Sequence, residues 1–255
     1  MSKKVCLVIG AGAGIGGTVG RKFALEGYHS VLCRRSDEAG LQKMVAAIEE
    51  QGGSATGRLL NAIDENAIED LVRETEESIG PISAVIFNLG AQIGDRSLEH
   101  TSLKAFEMGW QLATFALFRL AKAVFPLMAE RGGGTLIVTS ATASVRGNAG
   151  QHSHAAAMGG RRMLCQTLNA QYASSGIHVV HALIDGAVDA PDTLGKMLGA
   201  ELFEQLRSTK GADDGLILPE KLAETYYHVA HQHRSAWTHE LDFRAYSDVA
   251  WWNHP

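Results

Sequence analysis

Cysteine is scarce. The chain has only Cys6, Cys33 and Cys165, an odd number set far apart in apolar or helical runs, which excludes a disulfide framework and marks them as reduced core residues. No consecutive apolar run reaches the roughly 18 residues that cross a bilayer, so a membrane partner is not expected. Basic charge is not in excess either: the net charge of -5 leaves no electrostatic footprint for nucleic acid. Linkers, repeats and low-complexity stretches are also missing, and 45% hydrophobic residues over 255 positions can fill one large core. The expectation is one soluble, cytoplasmic domain spanning residues 1-255.

What is present first is a glycine turn. Val5 to Ile9 is a short apolar run that breaks at Gly10, Gly12, Gly14, Gly16 and Gly17, after which Ile15, Val19, Phe23 and Leu25 are spaced for the inner face of a helix. A strand feeding a helix through glycines brings unpaired backbone amides and the positive end of the helix dipole to one place, which suits a pyrophosphate. Gly12, Gly14 and Gly17 fit G-x-G-x-x-G, while Gly10, Gly14 and Gly16 fit the wider G-x-x-x-G-x-G. Lys3 and Lys4 before an apolar run also resemble a secretory signal, but the run is too short and too broken by glycine.

Strands and helices then alternate. His29 to Arg35, Ala55 to Leu60, Ile82 to Phe87, Thr135 to Thr139, Ile177 to Ile184 and Ala236 to Phe243 read as further strands. Helical patterns cover 37–51, 65–78, 103–128, 155–174 and 219–231. In the fourth helical stretch Phe106, Trp110, Leu117, Leu120 and Val124 are at core spacing, and Phe118 too reads as core. Repeated β-α units with apolar strands predict an α/β fold of the Rossmann type: a doubly wound parallel sheet of seven strands with helices on both faces. The polar, glycine-containing segment 189–215 interrupts the rhythm and suits a mobile flap over a site.

In such a sheet ligands bind beyond the carboxyl ends of the strands, near the switch in strand order. After the second strand come Arg34 and Arg35, with no acid before Asp37. An acid there would hold a free ribose 2'-hydroxyl, whereas arginine accommodates a 2'-phosphate, so NADP is favoured over NAD.

With these pieces in place the whole chain resembles the short-chain dehydrogenases/reductases. Ile9-Gly10-Ala11-Gly12-Ala13-Gly14-Ile15-Gly16 is similar to the family's Thr-Gly-x-x-x-Gly-Ile-Gly, which selects the wider glycine spacing. Asn61-Ala62-Ile63-Asp64 resembles its adenine-side Asp-Val-x-Asp, Phe87-Asn88-Leu89-Gly90 its Asn-Asn-Ala-Gly, and Asp185-Gly186-Ala187-Val188 its Pro-Gly-x-Val turn. The resemblance implies cofactor contacts from Gly10, Gly12, Ala13, Gly14, Ile15, Gly16, Arg34, Arg35, Asn61, Ala62, Asn88, Leu89, Gly90, Gly186 and Val188. It also implies an oxidoreductase acting on a small carbonyl or alcohol, and a homodimer or homotetramer built on the long helices.

The family's proton chemistry uses a tyrosine, a lysine four residues later that favours the phenolate, a serine and an asparagine. Asn148-Ala149-Gly150-Gln151 resembles the stretch before that tyrosine and sets the register: His154 takes the tyrosine position, Met158 the lysine, Ala141 the serine and Ala113 the asparagine. Ala190 stands where a threonine contacts the nicotinamide amide. Shifting the register restores nothing, because the tyrosine nearby is Tyr172 and no lysine lies between Lys122 and Lys196. Two functions follow as expectations: an oxidoreductase in which His154, which titrates near neutrality without a lysine, replaces tyrosine, with Ser140, Thr142 or His152 holding a carbonyl, or a catalytically silent relative serving as sensor, scaffold or inactive subunit. Arg161 and Arg162 could reach a carboxylate or the cofactor, or be surface residues or part of a subunit contact.

Other constellations carry less. His178 and His181 face opposite sides of a strand, and His228, His231 and His233 lack an acidic or cysteine partner, so no metal site is expected. Glu74, Glu76 and Glu77 read as a solvated helix face, and Asp185 as a turn former or substrate contact. The tail from Val249 to Pro255 is too aromatic for a free end and should pack on this subunit or a neighbour.

Overall fold

Alternation along the first strand explains the layering. In the computed structural model, which describes residues 3–90 and 97–253, β1 (Val5–Ile9) sends Val5, Leu7 and Ile9 to one face of the sheet and Cys6 and Val8 to the other. All five are fully buried, as expected for a strand with helices on both sides. Around it stand β2 (His29–Arg34), β3 (Ser54–Leu59), β4 (Ile82–Phe87), β5 (Gly134–Ala141), β6 (Ile177–Ile184) and β7 (Glu240–Phe243), in the order β3-β2-β1-β4-β5-β6-β7. Every pairing is parallel.

One face is covered by α1 (Ile15–Leu25) and α2 (Glu38–Glu50), the other by α3 (Ala67–Ser78) and by α4 (Leu103–Trp110), a π-helical turn (Gln111–Phe115) and α5 (Ala116–Glu130) run together. α6 (His152–Tyr172) packs beside α5 on that second face, and α7 (Lys196–Leu198), α8 (Ala200–Thr209) and α9 (Pro219–Ala230) follow β6, with α9 returning beside α1. Asp37 caps α2 by accepting from the Gly40 amide, and Ser102 caps α4 by accepting from Ala105. The three cysteines are buried and free, with burial pushing the Cys33 thiol up to about 12.

Several sequence expectations are corrected. Leu25 is 42% exposed rather than inward, because it lies two residues beyond buried Phe23, about 200° around the helix. Phe106, Trp110 and Phe118 are 42%, 43% and 48% exposed, so the apolar spacing of the long helix covers two faces, of which only the one bearing Leu117, Leu120 and Val124 meets the sheet. The helix Leu103–Glu130 is long and apolar enough to cross a membrane by composition, but here its inner face is core packing. β7 begins at Glu240 instead of Ala236, since Trp237 leaves the strand path to stack on His178 at 4.7 Å between centroids.

At this edge burial lowers the His181 imidazole from its ordinary 6.5 to about 4, although its Nδ1 lies 2.9 Å from a Glu240 oxygen. Glu240 is in turn gripped by both Nε and Nη2 of Arg162, whose hydrogen bonds hold its carboxyl below the usual range. Arg162 therefore reaches a carboxylate, but a structural one. The unfolded chain takes up a proton at His181 near pH 6.5 and the folded chain does not until about pH 4, so stability present above pH 6.5 drains away below it. Glu240, depressed in the fold, adds loss in the same acid direction. The urea midpoint should correspond to roughly 2 kcal/mol less stability at pH 5 than at pH 7. His181→Gln should flatten that slope, and an unchanged slope would show that the loss arises elsewhere.

Candidate functional site

The switch in strand order falls between β1 and β4, and the glycine turn lies at that crevice. Gly10 takes φ +97, and a Cβ on it would meet the Asn88 carbonyl oxygen at 2.7 Å. On Gly16 a Cβ would run into the Gly10 carbonyl oxygen and lie 2.9 Å from the Asn88 amide nitrogen. Those two glycines thus let the turn close against the end of β4, and Asn88 Nδ2 seals the contact by donating to the Gly10 carbonyl at 3.0 Å. Gly12 faces open space. The opening amides of α1, at Ile15 and Gly16, have no acceptor within the helix, so they remain donors for a ligand. A cradle that closes on backbone at Gly10 and Gly16 and opens at Gly12 fits a dinucleotide pyrophosphate.

Arg34 at the end of β2 is held by Asp37 at 3.2 Å, and Arg35 beside it is exposed. The acid that follows the arginines therefore orients one of them rather than competing for a ribose. After β3, the Asn61 side-chain amide donates to Asp64 at 2.6 Å, and buried Ala62 offers its carbonyl to Arg119. These residues, with Leu89 and exposed Gly90 after β4, line the same end of the sheet as the glycine turn. Gly186 and Val188 follow β6, and Val188 forms a bridge with Ile217 that closes the base of the 189–215 segment. That segment is largely helical and pinned by an Arg207–Asp189 pair at 2.9 Å. Its first residues approach the glycine turn directly: a Cβ on Gly14 would lie 3.1 Å from the Ala190 Cβ and 3.4 Å from the Thr193 hydroxyl.

The proton-transfer positions do not come together as polar groups. Ala113, Ala143, Ala157 and Met158 form a small apolar cluster of their own, with Met158 only 2% exposed. The Ser140 hydroxyl points at the Met158 sulfur, 3.7 Å away, rather than outward. Ala141 ends β5, Thr142 opens a single 3-10 turn, and His154 sits partly buried in the first turn of α6, with exposed His152 at the helix start. Ala155, next to His154 in the chain, packs against that apolar cluster.

Arg161 overturns a surface reading. Its side chain is buried, 1% exposed, lies 5.0 Å from the Phe87 ring centre and donates to three carbonyls: Nε to Ala113 at 3.0 Å, Nη1 to Thr139 at 2.6 Å and Nη2 to Leu89 at 2.8 Å. Burial draws its pKa down to about 10, so it stays charged at neutral pH. Asp185 has partners within the chain. It accepts from Arg244 Nε at 2.7 Å and from the Trp251 amide at 2.9 Å, while Arg146 donates to the Trp251 carbonyl at 2.7 Å. The tail thus packs on its own subunit; its last residues, His254 and Pro255, lie outside the described residues. Thr142, Arg146, Asn148, Asp185 and Trp251 line a cleft of about 250 Å³ at this end of β5 and β6. Sequence reading missed Arg146 and Arg244, which bond to Trp251 and Asp185 far along the chain and leave no local pattern, and Thr193, whose approach to Gly14 is likewise distant.

A parallel sheet wound in this order, with a backbone cradle at its switch point, defines a dinucleotide-type α/β domain. A model of the short chain dehydrogenase family matches residues 4–196, and the chain belongs to that family of NAD(P)-binding oxidoreductases. The short-chain reductase protein NovJ of Streptomyces niveus is 30% identical over 232 residues, covering 89% of this chain and 87% of that protein. A fatty acyl-CoA reductase of Acinetobacter baylyi is 36% identical over 137 residues, which is 52% of this chain and 45% of the reductase, so the match spans less than half of that relative. A short-chain dehydrogenase from Rhodopseudomonas palustris superposes with a TM-score of 0.79 at 30% identity, covering 95% of this chain and 99% of that one. The L-sorbose reductase of Gluconobacter frateurii, solved with NADPH and L-sorbose, has the same fold, with a TM-score of 0.81 at 22% identity over 97% of this chain and 98% of that one.

Proposed function

We propose that this chain binds NADP(H) across the β1/β4 switch point and serves as a nucleotide-binding member of its family without the family's tyrosine and lysine proton relay. The apolar cluster of Ala113, Ala143, Ala157 and Met158 carries this reading, because it puts methyl groups and a thioether where the relay needs a hydrogen-bonded cation. When bound, the dinucleotide supplies or accepts hydride. Toward it, the glycine turn and the first α1 amides would hold the pyrophosphate, while Arg34 and Arg35 would hold the 2'-phosphate. Asn61, Ala62, Asn88, Leu89, Gly90, Gly186 and Val188 would line the remaining contacts, under the flap at 189–215.

A second reading keeps turnover of a small carbonyl or alcohol with His154 as acid and base. Its support is the place of His154 in the first turn of α6, the helix that packs on the 3-10 turn Thr142–Ser144. A screen of carbonyls with NADPH and of alcohols with NADP separates the two: no turnover is the expected result, whereas turnover lost in His154→Ala establishes the second reading.

The exposed stripe of Phe106, Trp110, Phe115 and Phe118, in which the Trp110 and Phe115 rings stack at 5.3 Å, supports a homodimer or homotetramer with a second copy covering α4 and α5. Buried, unpaired cysteines support a reducing, cytoplasmic setting.

A further inference from the structure

Arg161 is a buried cation for which the reading above has no use. Its three acceptors belong to three different elements: Leu89 follows β4, Thr139 lies near the end of β5, and Ala113 lies within the π-helical turn between α4 and α5. Helix α6 supplies the arginine, so one guanidinium fastens four pieces of backbone together. A planar fork with five fixed N–H donors can serve separate acceptors at once in a way no apolar residue can. The π-helical turn is part of the same arrangement. Its Ala113 carbonyl turns to Arg161, and next to it the Thr114 hydroxyl donates to the Ala157 carbonyl at 2.8 Å, across a contact where a Cβ on Gly160 would lie 3.0 Å from that hydroxyl.

All of these fastenings lie on one side of the switch point. The glycine turn and Arg34 belong to the β1–β3 half, which would take the adenosine and its 2'-phosphate. Leu89, Thr139 and Ala113 belong to the β4–β6 half, which would take the nicotinamide. The halves are joined along the β1–β4 pairing, and at its end Asn88, next to Leu89, donates to Gly10.

We infer that Arg161 is a positioning residue which holds the ends of β4 and β5 and the π-helical turn in place as the wall for the nicotinamide half of the dinucleotide. It does so through Leu89, Thr139 and Ala113 and touches neither cofactor nor substrate. The inference rests on the NADP(H) reading. Loss of the fork takes a donor from three carbonyls, those of Ala113 and Thr139 buried and that of Leu89 partly buried, and the wall relaxes while the adenosine side keeps its own supports.

The test compares two ligands by calorimetry: NADPH, and adenosine 2',5'-bisphosphate, which has the adenosine and 2'-phosphate but no nicotinamide. In Arg161→Met the NADPH Kd should rise by about tenfold or more while the bisphosphate Kd stays within about twofold. Arg161→Lys, which keeps the charge but lacks the fork, should show the same split at about threefold. Should Arg161→Met fail to fold, the lysine variant decides alone. Equal weakening of both ligands assigns Arg161 a purely structural role and overturns the inference, as does NADPH affinity that does not change. A wild-type chain that binds neither ligand overturns the NADP(H) reading itself, and this one with it.

Discussion

Gly16→Ala is expected to abolish NADPH binding and to lower stability by about 3 kcal/mol. Gly16 lies in the first turn of α1, where an added methyl has no room against the Gly10 carbonyl and the Asn88 side chain. Neither obstacle is the free end of a flexible chain. The carbonyl is fixed by the turn itself, and Asn88 donates to that same carbonyl. The methyl must therefore push α1 away from β4, widening the cradle whose closed shape fits the pyrophosphate. Gly12→Ala is the matched control, because Gly12 has nothing within 4 Å of a Cβ and the fold should tolerate it. Urea unfolding of both variants reads the difference, and equal stabilities would show that the contact at Gly16 relaxes without cost.

Restoring the missing lysine should be more damaging than its absence. Met158→Lys is expected to destabilise the chain by about 4 kcal/mol, because it buries an ammonium with no partner in an apolar cluster. Position 158 is 2% exposed, its neighbours are Ala113, Ala143 and Ala157, and Arg161 stands three residues along the same helix with its own charge already buried. Residues three apart on a helix share a face, so the two cations would repel in a poorly screened interior. Met158→Leu, which conserves volume and polarity, should cost less than about 1.5 kcal/mol. If Met158→Lys melts with the wild type, the interior around α6 accommodates a second cation and Arg161 is not the electrostatic limit on this site. The same physics explains why a relay cannot be recovered one residue at a time. Tyrosine at 154 without a cation at 158 lacks the charge that favours its phenolate, and the cation at 158 is opposed by Arg161.

Much of this was legible in the sequence for identifiable reasons. The parallel sheet followed from strands that are apolar on both faces, as in Val5 to Ile9, and from turns that glycine alone can make, as at Gly10. The proposed replacement of the catalytic residues rests on a register set by Asn148 to Gln151 and the start of α6, which carry a local pattern. What the sequence hid depends on distance. The spacing of Phe106, Trp110 and Phe118 suits a buried helix face, but periodicity cannot say which of two apolar faces meets the sheet. Arg161 read as surface or subunit contact because arginine is rarely buried without a carboxylate, and its three carbonyl partners lie 22 to 72 residues away. Asp185 was similarly hidden, since its partners Arg244 and Trp251 come from the other end of the chain.

Calorimetric titration of the wild-type chain with NADPH, repeated with NADH, tests the central claim most directly. One saturable site per chain, tighter for NADPH because Arg34 and Arg35 stand where a 2'-phosphate would lie, is the expected result. No heat and no thermal shift at millimolar concentrations of either nucleotide would contradict it.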